Sequence, residues 1–550
     1  MKEQSFMQKA ARHSRYCVLI LAFMFAGFVR TAEAAELKEG QIGTYRDAFD
    51  QTVYYEGTHF LRFDRLYRSI FNKKIRSENV NDFDEIPDNT FFTNRHGRAR
   101  LSAAELERGA EPAGKPNANG NWLVLGGKFL DSQSGVLLIQ DSAGDQYELR
   151  FDTFDQFELA TSSEVIASRF YHAIGYHVPP YSIATFSFDK LVIDPKATVI
   201  DRSGFQKQLT AEKLKELMLF LPMNDRSEYR VSARKILKGI EKGNFKFYGR
   251  QKSDPNDTVD HENRREIRAL KVFAAWLNHY TVNANNTLGL AVNENGRETL
   301  KYYLINFNTA LGSDVNGAKP PMFSHEFLFD YGETEKAFLS LGIWEKPWQK
   351  RWREAGEKTH PSSAIGYFDN RRFDTGKFKP ELPYYAFKDL TAADGFWAAK
   401  IIMSFSNDDI KAIIKSGELS QLDDQNYLLD ILSNRRDLIG KHWFSQTNPL
   451  DNFKIENNAL IFDDLAIQYG FETASDTLYH IDVLQKDGKK YKKISSFKSE
   501  KPSFDIGNLL SSDQPAKLLI RTSRKGSVKS GAKAVVKISA KGILKILHHG

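Results

Sequence analysis

Asp254, Asp257, Asp260, His261 and Glu262 crowd together just ahead of Arg264, Arg265 and Arg268. Such a cluster offers carboxylates to a metal or a general base. Asp260 equally suits the N-cap of a following helix, whose dipole the other acids would complement. His261-Glu262 has no second histidine at the H-E-x-x-H spacing, which excludes that zinc site. Gly126-Gly127-Lys128 and Gly135 make a glycine-containing hairpin. It departs from G-x-G-x-x-G, so an ordinary hairpin accounts for it more readily than a phosphate cradle. Arg150 ends a strand-like segment and Glu164 lies on the helical segment after it, a placement that suits a strand–helix ion pair. Lys525, Lys529, Lys533, Lys537, Lys541 and Lys545 recur every four residues, and on a strand that period keeps them on one face. The single cysteine, Cys17, excludes a disulfide scaffold and a catalytic thiol in a mature chain. There is no G-x-S-x-G elbow, Walker loop or calcium loop. His548-His549 reads as terminal tail.

Elements must hold these residues in place. Trp122–Leu125, Gly135–Gln140 and Gln146–Asp152 alternate as strands. Ser162–Ile174 reads as helix, with Val165, Ile166, Phe170 and Ile174 at helical spacing. After a β-like stretch at Tyr181–Ile193 the middle region reads as mostly helical, its best helix running from about His261 to Asn278. Leu288–Val292 and Leu300–Phe307 flank the turn 293–296, and helices fit Gly395–Phe405, Asn407–Ser416 and Asp423–His442. From about Asn452, short strands separated by Gly, Asp and Ser predict a β-sandwich-like module.

At 550 residues the chain has room for several domains, and its 13% aromatic content excludes a wholly disordered one. The net charge of +7 is unevenly spread: residues 486–550 hold sixteen Lys/Arg against four Asp/Glu, residues 1–34 carry +3, and residues 35–485 are left at −8. A basic terminal module on an acidic body is expected to meet an anionic surface or polymer, such as lipid headgroups, a cell-wall polymer or nucleic acid. The competing reading is lysines that only discourage edge aggregation. Nothing beyond charge points to nucleic acid. Residues 1–34 read as a signal peptide: Lys2, Lys9, Arg12 and Arg15, a short apolar run over Tyr16–Val29, then Ala32-Glu33-Ala34. The run is shorter than the roughly 20 residues a span needs. The expectation is an exported protein, periplasmic or extracellular, with no transmembrane span in the mature chain.

The order of a glycine-containing hairpin, a strand ending in a cation, a helix bearing a glutamate, a long helix with a polar loop, and a strand ending in polar-Phe-polar resembles the protein-kinase-like fold. Asp84–Arg95, Ser162–Pro179, Phe247–His279, Tyr302–Ser313 and Phe396–Phe405 resemble a family of exported bacterial proteins with such a core, over roughly residues 80–470. The resemblance implies an α+β fold with a protein-kinase-like two-lobed core over 121–445. The signal peptide 1–34 and a polar segment and linker at 35–120 would precede it, and a basic β-sandwich-like domain at 446–550 would follow.

The resemblance also implies roles, and here the chain departs from the pattern. The strand lysine position holds Arg150, while Glu164 fits the helix glutamate and Asn286 the metal-binding asparagine of the loop. The acidic pair expected after Asn278-His279 falls on Tyr280 and Thr281, and Asn306-Phe307-Asn308 replaces Asp-Phe-Gly. Neither Tyr280 nor Thr281 accepts a proton at neutral pH as a carboxylate does, and general-base help is worth about 10²–10⁴-fold. Asn306 offers Mg²⁺ one oxygen and no charge. The expected protein is a pseudokinase, a non-catalytic binding or scaffold protein. It would hold ATP or another anion through Lys128, Arg150, Glu164 and Asn286, with Mg²⁺ weak or absent. Two alternatives stay open. One is an atypical kinase or nucleotidyl transferase using Asp254, Asp257 or Asp260; the other is a surface attachment protein acting through the C-terminal domain.

Overall fold

Alternation of apolar and polar residues builds the first sheet in the computed structural model. The structure describes residues 73–549 apart from 111–113, 130–134, 202–204, 295, 320–321, 347, 351–352, 354–359, 372, 489, 511–513 and 526–531, with isolated positions before 73. The signal-like segment 1–34, the tip of the glycine hairpin and Lys529 lie outside the described residues. The chain is a mixed α+β structure, and among the described residues no helix is long and apolar enough to cross a membrane.

A capping box between Ser102 and Glu105 starts α1 (Ala103–Arg108). Strands β1 (Trp122–Lys128), β2 (Val136–Gln140) and β3 (Gln146–Phe151) then form a meander, followed by α2 (Leu159–Ile174). The Asp152 carboxylate accepts the Glu158 and Thr161 amides at the start of α2, satisfying two donors that the helix leaves free. Strands β4 (Tyr181–Phe186), β5 (Leu191–Ile200) and β6 (Gln206–Gln208), helix α3 (Ala211–Met218) and strand β7 (Tyr229–Lys235) complete a sheet of order β4-β7-β3-β2-β1-β5-β6. The pair β1–β5 is parallel and the remaining neighbours are antiparallel. One face carries Trp122, Val124, Leu137, Leu149 and Val231 in a core with Leu214 and Leu217 of α3. Against the other lies α2, of which every residue but His172 is buried.

The middle region is not mostly helical. Besides β5 to β7 it holds β8 (Ile240–Gly243), because these strands find their partners far along the chain and local periodicity does not announce them. The expected helix from His261 is also corrected. A single tight turn covers His261–Asn263, Arg264 is extended, and α4 runs over Arg265–Leu277; Asp260 makes no capping hydrogen bond. Strands β9 (Thr287–Glu294) and β10 (Arg297–Leu304) pair with β8 in the order β10-β9-β8, and β11 (Ser313–Asp314) pairs with β12 (Gly317–Ala318). Helices α5 (Tyr331–Leu339), α6 (Ala392–Met403), α7 (Asn407–Lys415) and α8 (Leu422–Phe444) follow. Residues of α2, α4, α6, α7 and α8 share one large core, to which Ile86, Phe91, Phe92 and Leu106 from ahead of the first sheet also belong.

The remaining strands are β13 (Leu450–Glu456), β14 (Ala459–Asp464), β15 (Thr477–Asp487), β16 (Lys490–Ser499), β17 (Ser503–Asp505), β18 (Ala516–Arg524), β19 (Lys533–Ser539) and β20 (Gly542–His549). They make two sheets, β13-β14-β17 and β16-β15-β18-β19-β20, around a separate core that includes Leu450, Phe462, Tyr479, Ile520 and Val536. The chain around Asp82 covers the outer edge of β20: the Ile546 amide donates to the Asp82 carbonyl at 2.7 Å and the His548 amide to Asp84 Oδ2 at 2.9 Å. His548 is therefore no loose tail. It is buried against the Asp84 carboxylate, which also holds Arg76 and Arg265, each at 2.6 Å.

Candidate functional site

Strand register places Lys128, Val136, Arg150 and Ser232 in one row across β1, β2, β3 and β7. Two residues along β3, Glu148 stands opposite Arg234 on β7. Side chains two apart share a face, so this polar set lies opposite the apolar face and towards α2. Arg150 Nε is 3.5 Å from Glu164 Oε2, and Nη2 donates to Glu148 Oε1 at 3.0 Å and to Asn306 Oδ1 at 3.3 Å. Ser232 donates to Glu164, and Arg234 to Glu148. Burial works to lower the Arg150 pKa, but the Glu164 and Glu148 carboxylates outweigh it and hold the guanidinium above its usual value. Burial also pushes Glu164 up, against the pull of Arg150 and the Ser232 hydroxyl. Glu148 is held low despite burial, because Arg234 and Arg150 both face it. Two guanidinium groups and two carboxylates thus neutralise one another.

The other wall comes from the segments after α4 and β10. Asn278 ends α4 in the left-handed conformation, which turns the chain into the polar loop. Asn306 also has positive φ, 60°. Phe307 is fully buried among Tyr171, Tyr181 and His279, and this anchor sets Asn306 facing Arg150. Asn306 Nδ2 donates to Asn286 Oδ1 at 3.0 Å, and Asn286 Nδ2 to the Thr281 carbonyl at 2.8 Å. The Thr281 hydroxyl meets the Thr309 hydroxyl at 2.5 Å. A continuous line of hydrogen bonds therefore runs from Arg150 through Asn306 and Asn286 to Thr281. Tyr280 is buried and stacks on Phe323, rings 4.3 Å apart, and burial drives its pKa up, so it is no base. Below it, Lys319 Nζ donates to the Asn278 and Thr309 carbonyls at 2.5 and 2.8 Å, and burial pushes its pKa down to about 7.

The acids ahead of α4 sit in other company. Asp254 accepts the Asn256 amide at 2.9 Å and the Tyr302 hydroxyl at 3.0 Å. Asp257 takes the Gln251 amide at 2.6 Å, Arg264 at 2.7 Å and His261 Nε2 at 2.8 Å. Asp260 is partly exposed and pairs with Arg250 at 3.1 Å. The glycines of the hairpin are accounted for by packing: a Cβ on Gly135 would lie 2.3 Å from the Phe129 ring, and one on Gly127 2.9 Å from Leu137.

Mg²⁺ fits this arrangement poorly. The Asn286 and Asn306 side-chain oxygens both accept hydrogen bonds, the second from a guanidinium that would repel a cation. Among the described residues no group of three or more histidines and carboxylates could hold a metal. Sequence reasoning missed Glu148, Ser232, Arg234 and Tyr181, whose hydroxyl accepts the Asn306 amide at 3.0 Å. Glu148 was open to inference, since it shares a strand face with Arg150. Arg234 and Ser232 were not, because nothing local reveals that β7 enters the sheet between β3 and β4.

No family model matches the chain, and no curated protein sequence matches it. Among solved structures it is similar to the golgi casein kinase at 11% identity, over 59% of this chain and 75% of that one, with a TM-score of 0.22. The likeness is weak.

Proposed function

We propose that this is an exported, non-catalytic binding or scaffold protein built on a degenerate kinase-like core at 121–445, with a basic β-sandwich-like domain at 446–550. One observation carries the reading: the polar groups at the centre of the site are already paired with one another. Arg150 faces Glu164, Glu148 and Asn306, and the Asn306 and Asn286 amides are committed to each other. An incoming triphosphate would have to displace two carboxylates from Arg150 and Arg234, which leaves Lys128 of the same row as the one cation there, among the described residues, not already facing an acid. Among the described residues the carboxylates of the site, Glu148 and Glu164, both face guanidinium groups rather than the pocket. The transferase reading draws no support from Asp254 or Asp257, whose oxygens serve backbone amides, Tyr302, His261 and Arg264.

Calorimetric titration of the mature chain with ATP, with and without Mg²⁺, tests this. No heat is expected in either case. Heat that depends on Mg²⁺ at micromolar ATP would overturn the reading and call for a search for transferred phosphate. Heat that is independent of metal and lost in Arg150→Met would show that the pocket keeps an anion without catalysis.

A further inference from the structure

Lysines of the C-terminal sheet line up in a way that edge protection does not explain. Lys517 on β18 stands directly opposite Lys537 on β19, and Lys537 opposite Lys545 on β20. Leu484 of β15 is opposite both Lys517 and Lys493, so the row continues to β16. Four lysines thus span the five strands, on the face away from the core lined by Leu518, Val536 and Ile538. With neighbouring strands about 4.8 Å apart, the row is about 19 Å long. Arg521 and Lys533 lie four residues away along β18 and β19, on the same face by the period of two.

Like charges directly opposite one another destabilise a sheet. Lysines that guard against aggregation belong on edges, whereas β18 and β19 are interior strands and β20 already has its edge covered from Asp82 to Asp84. Lys545 is paired with Asp82 and Lys493 with Asp482, each at 2.7 Å. Among the described residues no carboxylate forms an ion pair with Lys517, Lys533 or Lys537; the Lys517 ammonium rests over the Tyr491 ring, 5.5 Å from its centre. Arg521 is likewise held by Asp482. The unneutralised charge is therefore that of Lys517 and Lys537 at the middle of the row, with Lys533 beside them, and like charges kept opposite one another at a cost to the sheet indicate a partner that supplies the missing charge.

We infer that this face binds a linear phosphodiester polyanion laid across the strands along the Lys493–Lys517–Lys537–Lys545 row. A twisted sheet presents a saddle, which a flexible chain follows and a flat bilayer does not. The row offers amines alone, so it recognises charge and spacing rather than the groups between the phosphates. The inference is independent of the pocket and stands whether or not a nucleotide binds there.

The test is fluorescence anisotropy of the full mature chain with labelled oligothymidylate as the phosphodiester probe, over a range of salt. Binding that weakens linearly in log–log form with salt is expected. Lys517→Ala/Lys537→Ala should weaken it about tenfold or more and reduce the slope by about 1.4. The same variant should melt no lower than the parent, since it relieves repulsion, and Lys213→Ala/Lys215→Ala on α3 should change neither quantity. Inorganic polyphosphate should compete. No binding at low salt, binding indifferent to the Lys517/Lys537 pair, or a lowered melting temperature in that variant would overturn the inference. So would binding to phosphatidylglycerol vesicles with none to oligothymidylate, or a failure of polyphosphate to compete.

Discussion

Glu164 keeps 3% of its side chain exposed and has Arg150 and Ser232 as its partners. Removing one member of a buried pair leaves an uncompensated charge, which typically costs about 3–5 kcal/mol, whereas replacing both by apolar groups is often nearly neutral. Arg150→Met is therefore expected to destabilise the fold by about 3 kcal/mol, the low end of that range because Arg150 is partly exposed. Arg150→Met/Glu164→Leu should recover most of the loss. Urea unfolding of both variants measures this, and a single-variant loss below about 1 kcal/mol would mean the pair behaves like a surface one. Sequence types alone suggested this pair, because a cation ending a strand and an acid on the next helix are local facts. Glu148, two residues back on the same strand face, was open to the same inference, whereas Ser232 and Asn306 come to Arg150 only through the pairing with β7 and the loop after β10.

Between elements, His279 fastens the end of α4 to α2, its Nδ1 lying 3.0 Å from the Tyr171 hydroxyl. Burial, with Lys319 nearby adding to it, lowers the His279 pKa from 6.5 to about 3. The folded chain thus keeps His279 neutral where the unfolded chain protonates it. Protons then bind the unfolded state preferentially, and stability is full above about pH 6.5 and falls on acidification towards pH 3. The histidine contributes about 1.4 kcal/mol per pH unit across that window. Denaturant titrations from pH 7 to 4 should show His279→Asn with a shallower acid loss than the parent, and parallel curves would contradict it. The helices themselves were legible where apolar residues recur at helical spacing, as in α2, α7 and α8. The start of α4 was not, because Asp257 binds His261 and Arg264 and spends the acids that looked like helix caps on a turn.

At the scale of the molecule, buried charges tie the C-terminal sheets to the body. Asp84 holds Arg265 of α4 and His548 of β20, and Lys400 of α6 pairs with Glu85 and, at 2.9 Å, with Asp451 of β13. Burial alone would raise the Asp84 carboxyl, but Arg265, His548 and Arg76 hold it far below the usual carboxylate range. Asp84→Asn should loosen this joint, and calorimetry is expected to resolve one melting transition into two, the C-terminal sheets and the body. A single transition at the parent temperature would show that the carboxylate does not couple them. The same joint makes truncation at 446 a poor probe of the basic face, since it would take His548 from Asp84 and Asp451 from Lys400, so lysine substitutions in the intact chain are preferable. What the sequence by itself determined is local or compositional: helical periodicity, the strand-rich basic end and the lysine period. Only the tertiary structure decided which charges neutralise Arg150, that Asp254 and Asp257 serve their own loop, and that Lys517, Lys537 and Lys545 stand opposite one another. The physical reason is that pairing between distant strands and desolvation of a charge depend on neighbours far along the chain, whereas periodicity and charge count are written in adjacent residues.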